Sequence, residues 1–168
     1  MADNNTQLGI AAISTYLPKR VVDNGELVQR FGFERAFLDD KIGIRHRHIA
    51  AEDEAVSDLA CAATAPLFER GVVRPDQIEL VVLCTQNPDY KLPTTANLIQ
   101  ARLGLPQSTL AFDINQGCSG YVIGLSTAHA LMSAHNFEYG LLLTAETYSK
   151  VIDPQDRSTV PLFGDAGA

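Results

Sequence analysis

A chain of 168 residues, 46% apolar and 20% charged, has the composition of a soluble globular protein and is large enough for one hydrophobic core, read as a single domain over 1–168. Its net charge of −7 excludes general nucleic-acid binding, which needs a basic face to neutralise phosphates. The polar start, Met1-Ala2-Asp3-Asn4-Asn5-Thr6-Gln7, lacks both regions of a secretion signal, and no apolar run reaches membrane-spanning length, so a cytoplasmic protein with no membrane partner is expected.

Along the chain, Leu8 to Tyr16 reads as a strand closed by Pro18, and Gly25 to Phe31 as a short helix. Arg45-His46-Arg47-His48-Ile49 reads as a polar edge strand or hairpin arm. Val56, Leu59, Ala60, Ala63 and Leu67 keep the 3.6-residue period and predict an amphipathic helix ending at Gly71, which Pro66 should bend or shorten. Ile78 to Cys84 is apolar except for Glu79 and predicts a strand covered on both faces. Pro93 introduces a helix from Thr94 to Leu103, with Gly104 in the stop position. A strand at 110–115, a helix from 118 to about 135 and a strand from Tyr139 to Thr144 complete the alternation. Such alternation predicts an α/β protein with a parallel or mixed sheet, whose ligands bind beyond the carboxyl ends of the strands. The loops Thr85-Gln86-Asn87-Pro88 and Glu146-Thr147-Tyr148 should lie there, together with the turn at Cys118. No Gly-x-Gly-x-x-Gly or Walker loop follows any strand, so nothing supports a nucleotide cofactor.

Three cysteines, at 61, 84 and 118 and without a Cys-x-x-Cys pair, indicate free thiols in a reducing compartment. Cys61 and Cys84 fall at core positions of a helix and a strand. Cys118 differs, because Asp113-Ile114-Asn115-Gln116-Gly117-Cys118-Ser119-Gly120-Tyr121 reads as a strand turning sharply into a helix. Gly117 and Gly120 suit such a turn, and the free N–H groups at the helix start favour a thiolate. A nucleophile there follows the logic of the Gly-x-Ser-x-Gly elbow, although the spacing is Gly-Cys-x-Gly; a plain core cysteine is the competing reading.

No histidine completes the site. His129 is eleven residues along the same helix, ~16 Å at ~1.5 Å per residue, and His135 is farther. His46 and His48 could reach the thiol only if the fold happened to bring their strand beside it, and their flanking arginines repel a metal cation. Lys41, Arg45 and Arg47 form a basic cluster that reads either as an anion site or as a solvated edge. The apolar, glycine-rich end from Val160 to Ala168 is unlike an exposed terminus, so an unfinished fold is expected.

Several motifs fall in one order: Tyr16-Leu17-Pro18, Gly43-Ile44-Arg45 followed by Arg47-His48-Ile49-Ala50, Pro93-Thr94-Thr95-Ala96, Asp113 through Gly120, Asp153-Pro154-Gln155-Asp156-Arg157 and Phe163-Gly164-Asp165. With them the chain, from Leu8 to Ala168, resembles the amino-terminal half of β-ketoacyl-acyl-carrier-protein synthase III, in the thiolase-like superfamily. The resemblance implies a thiolase-like, mixed five-layer αβαβα architecture of which this chain supplies the amino-terminal half. It implies that Cys118 accepts an acyl group from acyl-CoA, and that a malonyl-carrier protein then loses carbon dioxide and condenses with it to a 3-oxoacyl product, in fatty acid or related biosynthesis. CoA is then substrate, with no cofactor and no metal. Acyl-CoA, acyl carrier protein and a second copy of the chain are the implied partners, the homodimer forming through the strand that contains Phe112. The family's histidine and asparagine, and one of two oxyanion donors, belong to the carboxy-terminal half; the other donor is the Cys118 N–H. Without that half the chain alone is not expected to condense.

For substrate binding the resemblance implies Phe37 in place of a tryptophan that stacks on the CoA adenine with Arg157, Lys41 in place of an arginine at the CoA phosphates, and Leu92 reaching across the dimer to the partner's acyl pocket. Gln116-Gly117 before the cysteine departs from the commoner small pair. A non-decarboxylating acyltransferase and a non-catalytic subunit of a heterodimeric synthase are the alternatives within the superfamily. An intact Cys118 opposes the second, and the absent histidine opposes an unrelated cysteine hydrolase.

Overall fold

A computed structural model describes residues 8–168. The central strand β3 (Ile78–Cys84) is buried almost throughout, because its apolar run has a layer to meet on each side. It pairs in parallel with β4 (Leu110–Ile114) on one edge and β5 (Tyr139–Glu146) on the other. A two-residue antiparallel strand, β6 (Ala166–Gly167), follows β5, giving the order β4-β3-β5-β6.

Alternation along β3 divides the core. Val81 and Leu83, with Leu141, Leu143 and Ala145 of β5, pack under α2 (Val56–Glu69) and α3 (Thr95–Arg102). Leu80 and Val82 point the other way, with Phe112, Ile114 and Leu142, onto Ala128, Leu131 and Met132 of α4 (Gly120–His135). Each such side chain taken fully out of water contributes about 1.5–3 kcal/mol, so β3, buried on both faces, anchors both layers. The predicted helix 94–103 is α3, and Gly104 takes the left-handed φ of 65° that a stop position requires. Asp113 fixes α3 to the sheet, its carboxylate accepting 2.8 Å bonds from the N–H groups of Thr95 and Ala96.

A smaller unit precedes this sheet. β1 (Arg20–Asp23) pairs antiparallel with β2 (His46–Ile49), and α1 (Asn24–Phe31) lies between them in sequence. Asp23 caps α1 through a 2.9 Å bond from Glu26 N–H, and Val22, Leu27 and Leu38 form its small core. Arg47 is only 3% exposed and pairs directly with no carboxylate among the described residues. Its guanidinium donates to the carbonyls of Pro161 and Ile44 and to Asn24 Oδ1, while Asn24 in turn donates to Asp39. The basic cluster read from the sequence therefore separates: Arg47 is a structural tie, whereas Lys41 and Arg45 are exposed.

Two expectations fail. Leu8–Tyr16 is not a strand; only Tyr16 pairs, with Gly167, because β6 is too short to offer the rest a ladder. Pro66 does not shorten its helix, which continues to Glu69 as Arg70 N–H bonds the Pro66 carbonyl. β1 and β6, absent from the sequence reading, are short strands with little periodicity to read. No helix among the described residues is long and apolar enough to cross a membrane.

α4 sits close to the sheet through Gly120 and Gly124. A Cβ on Gly124 would lie 2.7 Å from both Cys84 Sγ and Leu142 Cδ1, and the Cys84 thiol donates to the Gly120 carbonyl at 3.1 Å. Gly124→Val should therefore lower unfolding free energy by about 1–3 kcal/mol through overpacking. Gly9→Ala, with nothing within 4 Å of the added Cβ, should change it little. Urea unfolding of the two variants checks the difference.

Candidate active site

The carboxyl ends of the parallel strands gather the loops expected there. Gln86 N–H donates to Glu146 Oε1, and Asn87 Nδ2 donates to Thr147 Oγ1 at 2.8 Å, joining the ends of β3 and β5. Beyond β4 the chain turns: Gln116 N–H reaches the Ile114 carbonyl at 3.1 Å, and Gly120 N–H bonds the Gly117 carbonyl at 2.8 Å. Cys118 occupies this turn, two residues before α4 begins rather than within the helix, and its side chain is exposed. Gly117 is held from behind by Gln86, whose Oε1 would stand 2.9 Å from any added Cβ. A side chain larger than hydrogen at 117 would push Gln86 off the turn.

The other two thiols are placed differently. Cys61 lies on α2 against the core, and burial pushes its thiol up to about 11. Cys84 is buried at the end of β3, and burial raises its thiol as well. Of the three, Cys118 alone combines exposure with a position at the sheet's carboxyl end.

Glu146 had no sequence signal beyond its place in a predicted loop. It is largely buried; desolvation raises its carboxyl above the ordinary range, opposed by the bonds it accepts from the Gln86 and Asn87 backbone. Its Oε2 is buried without a hydrogen-bond partner among the described residues. Nearby Asp165, in contrast, is well satisfied, accepting from Ala50 N–H and from the N–H and hydroxyl of Ser149.

The remaining candidates form a second group. Phe37 opens a wide helical turn, Phe37–Ile42, closed by Gly43 N–H on the Leu38 carbonyl. Its ring stacks on Phe33 at 6.1 Å, and the Arg157 guanidinium lies 5.0 Å over that same Phe33 ring. Phe37 and Arg157 are therefore brought together through Phe33, which sequence reasoning missed although Phe31, Phe33 and Phe37 form an evident aromatic run. Lys41 is exposed on the same turn. Leu92 is 84% exposed on the loop before Pro93. None of the hydrogen bonds or ring contacts among the described residues links Cys118 or Leu92 to the Phe33 stack.

A family model described as 3-oxoacyl-[acyl-carrier-protein] synthase III matches residues 112–168, which include Cys118. The chain is 39% identical over 158 residues to a beta-ketoacyl-[acyl-carrier-protein] synthase III of Hyphomonas neptunium, covering 94% of this chain and 49% of that protein. A crystal structure of a 3-oxoacyl-(acyl-carrier-protein) synthase III superposes with a TM-score of 0.90 at 47% identity, covering 94% of this chain and 47% of the other. The Thermus thermophilus synthase III gives a TM-score of 0.89 at 39% identity, covering 95% of this chain and 49% of the other. The chain thus matches the amino-terminal half of these synthases and shares their thiolase-like fold; it spans about half the length of the curated relatives it matches.

Two outcomes follow from these environments. Iodoacetamide at pH 8 should label Cys118 and spare Cys61 and Cys84 in the folded chain, with all three labelled in urea; peptide mass spectrometry reads the sites. Glu146 carries a pH signature. A carboxyl raised by folding binds its proton more tightly in the native state, so stability is greatest below the unfolded value near ~4.3 and falls as pH rises through the folded value. Glu146→Gln should remove this decline and be more stable than the parent at pH 7, by urea unfolding across pH 4 to 8.

Proposed function

We propose that this chain is the nucleophile-bearing half of a β-ketoacyl-acyl-carrier-protein synthase III, with Cys118 as its acyl acceptor. The observation that carries this reading is the exposed Cys118 on a strand–turn–helix junction, within the segment the synthase III model matches. In the first half-reaction the Cys118 sulfur attacks the thioester carbonyl of an acyl-CoA. A new carbon–sulfur bond forms to Cys118, the bond to the CoA sulfur breaks, and CoA leaves as its thiol. The Cys118 N–H makes no bond to another described residue and is free to donate to the developing oxyanion.

In the second half-reaction malonyl-carrier protein loses carbon dioxide, and its carbanion displaces Cys118 from the acyl group to give a 3-oxoacyl product. The histidine and asparagine implied for this step belong to the part of the relatives that this chain does not span. Condensation by these 168 residues alone is therefore not expected, whereas acyl transfer to Cys118 is.

The Phe33–Phe37 stack with Arg157, and Lys41 beside it, suit the flat base and the phosphates of CoA. β4 ends the sheet with an unpaired edge among the described residues, which suits pairing with a second copy. The exposed Leu92 suits a role at that partner's acyl pocket. Acyl-CoA and acyl carrier protein as substrates put the reaction in the cytoplasm.

Incubation with acetyl-, hexanoyl- and decanoyl-CoA should add one acyl mass to the intact protein, and Cys118→Ala should abolish the adduct. An adduct that survives in Cys118→Ala overturns the assignment. Arg157→Ala should weaken transfer from acyl-CoA about fivefold or more, the loss of one cation–π contact of about 1 kcal/mol, while leaving iodoacetamide labelling of Cys118 unchanged.

A further inference from the structure

The departure at Gln116-Gly117 has a counterpart at the end of β3. A Cβ on Gly117 would stand 2.9 Å from Gln86 Oε1, 3.1 Å from its Cδ and 3.3 Å from its Nε2, closer than side chains ordinarily approach. The whole carboxamide thus occupies the space a side chain at 117 would need. Gly117 is not among the glycines with positive φ, which are Gly32, Gly43, Gly71 and Gly104. The backbone of the turn therefore does not itself call for glycine at 117; the room taken by Gln86 does.

Gln86 belongs to a row of contacts. Three successive residues at the end of β3 hold the chain on both sides of Cys118. The Cys84 thiol donates to the Gly120 carbonyl at 3.1 Å, Thr85 N–H donates to the Ile114 carbonyl at 3.2 Å, and the Gln86 carboxamide covers Gly117. The third contact falls on the residue next to the nucleophile. The Gln86 backbone is in turn fixed from β5, because Glu146 accepts from the N–H groups of Gln86 and Asn87, and Asn87 Nδ2 donates to Thr147 Oγ1 at 2.8 Å. The side chain thus reaches Gly117 from a loop tied to two strands.

Glycine has more backbone freedom than any other residue, so Gly117 leaves the turn loose unless something packs on it. Reaction at an exposed thiol depends on where the turn holds it relative to the free N–H groups at the start of α4. We propose that Gln86 is a positioning residue for Cys118: its carboxamide takes the place of a side chain at 117 and holds the turn that presents the nucleophile. Gln86 and Gly117 are then a matched pair, a long side chain at one position filling the space left by none at the other. The pairing accounts for the glycine at 117, which the reading of Cys118 as an acyl acceptor leaves unexplained. It concerns the turn and not the acyl donor, so it stands or falls independently of acyl transfer.

The test is the second-order rate of Cys118 alkylation by iodoacetamide at pH 8 in the full chain, read by peptide mass spectrometry, with protection of Cys61 and Cys84 reporting that each variant is folded. Gln86→Ala should slow the reaction on the order of tenfold, since a misplacement of ~1 Å can cost a reacting group ~100-fold. Gly117→Ala, which displaces the carboxamide instead of removing it, should slow it by a similar factor. The double variant, with room for the new methyl group, should react faster than either single variant. A merely structural role for Gln86 makes the losses accumulate, so a double variant no faster than the singles overturns the proposal. A parental rate in Gln86→Ala overturns it as well. Gln86→Met, of similar length and without the amide, should keep the parental rate, and a loss equal to that of Gln86→Ala would overturn the steric pairing.

Discussion

Burial of β3 on both faces is the constraint from which the rest follows. A strand whose residues from Leu80 to Leu83 are completely inaccessible needs a helical layer above and below and a strand on each edge. The chain supplies α2 and α3 on one side, α4 on the other, and β4 and β5 beside it. Parallel pairing on both edges brings the ends of β3, β4 and β5 to one side of the molecule. The Gln86 loop, the Cys118 turn and Glu146 are thus neighbours by topology, and the Cys118 turn inherits its place from the packing of Val81 and Val82.

Cys84 shows how closely packing and site are coupled. Its thiol lies 2.7 Å from where a Cβ on Gly124 would stand and donates to the first carbonyl of α4. The two glycines, one turn apart on the helix, are what let α4 approach the sheet. That approach fixes where the helix starts, and the preceding turn is left with Cys118 facing outward. The buried Cys84 is thus packed against the start of the helix that follows the exposed Cys118.

Most of the central sheet was legible because its signals are local. The unbroken run from Ile78 to Cys84 and the length of the apolar stretch after Tyr121 have one reading each, and both elements lie within two residues of where the pattern puts them. The Cys118 turn was legible for the same reason. Leu8–Tyr16 was misread because strand formation needs a neighbour, and apolar β-favouring residues carry no information about whether one is present. Phe33 and Glu146 were missed on different grounds. The relation of Phe33 to Arg157 spans more than a hundred residues, and a glutamate in a loop looks solvated until the fold buries it.

The two groups of candidate residues differ in how they are held. Cys118 is positioned by backbone: the turn bonds at Gln116 and Gly120, and Gln86 packed on Gly117. Phe37, Phe33 and Arg157 are positioned by side-chain stacking on the smaller β1–β2 unit, whose own core is only Val22, Leu27 and Leu38 with their neighbours. The two groups are thus held by different kinds of contact, backbone turn bonds around Cys118 and ring contacts of about 0.5–1.5 kcal/mol at Phe33, and a substitution that disturbs one leaves the other in place.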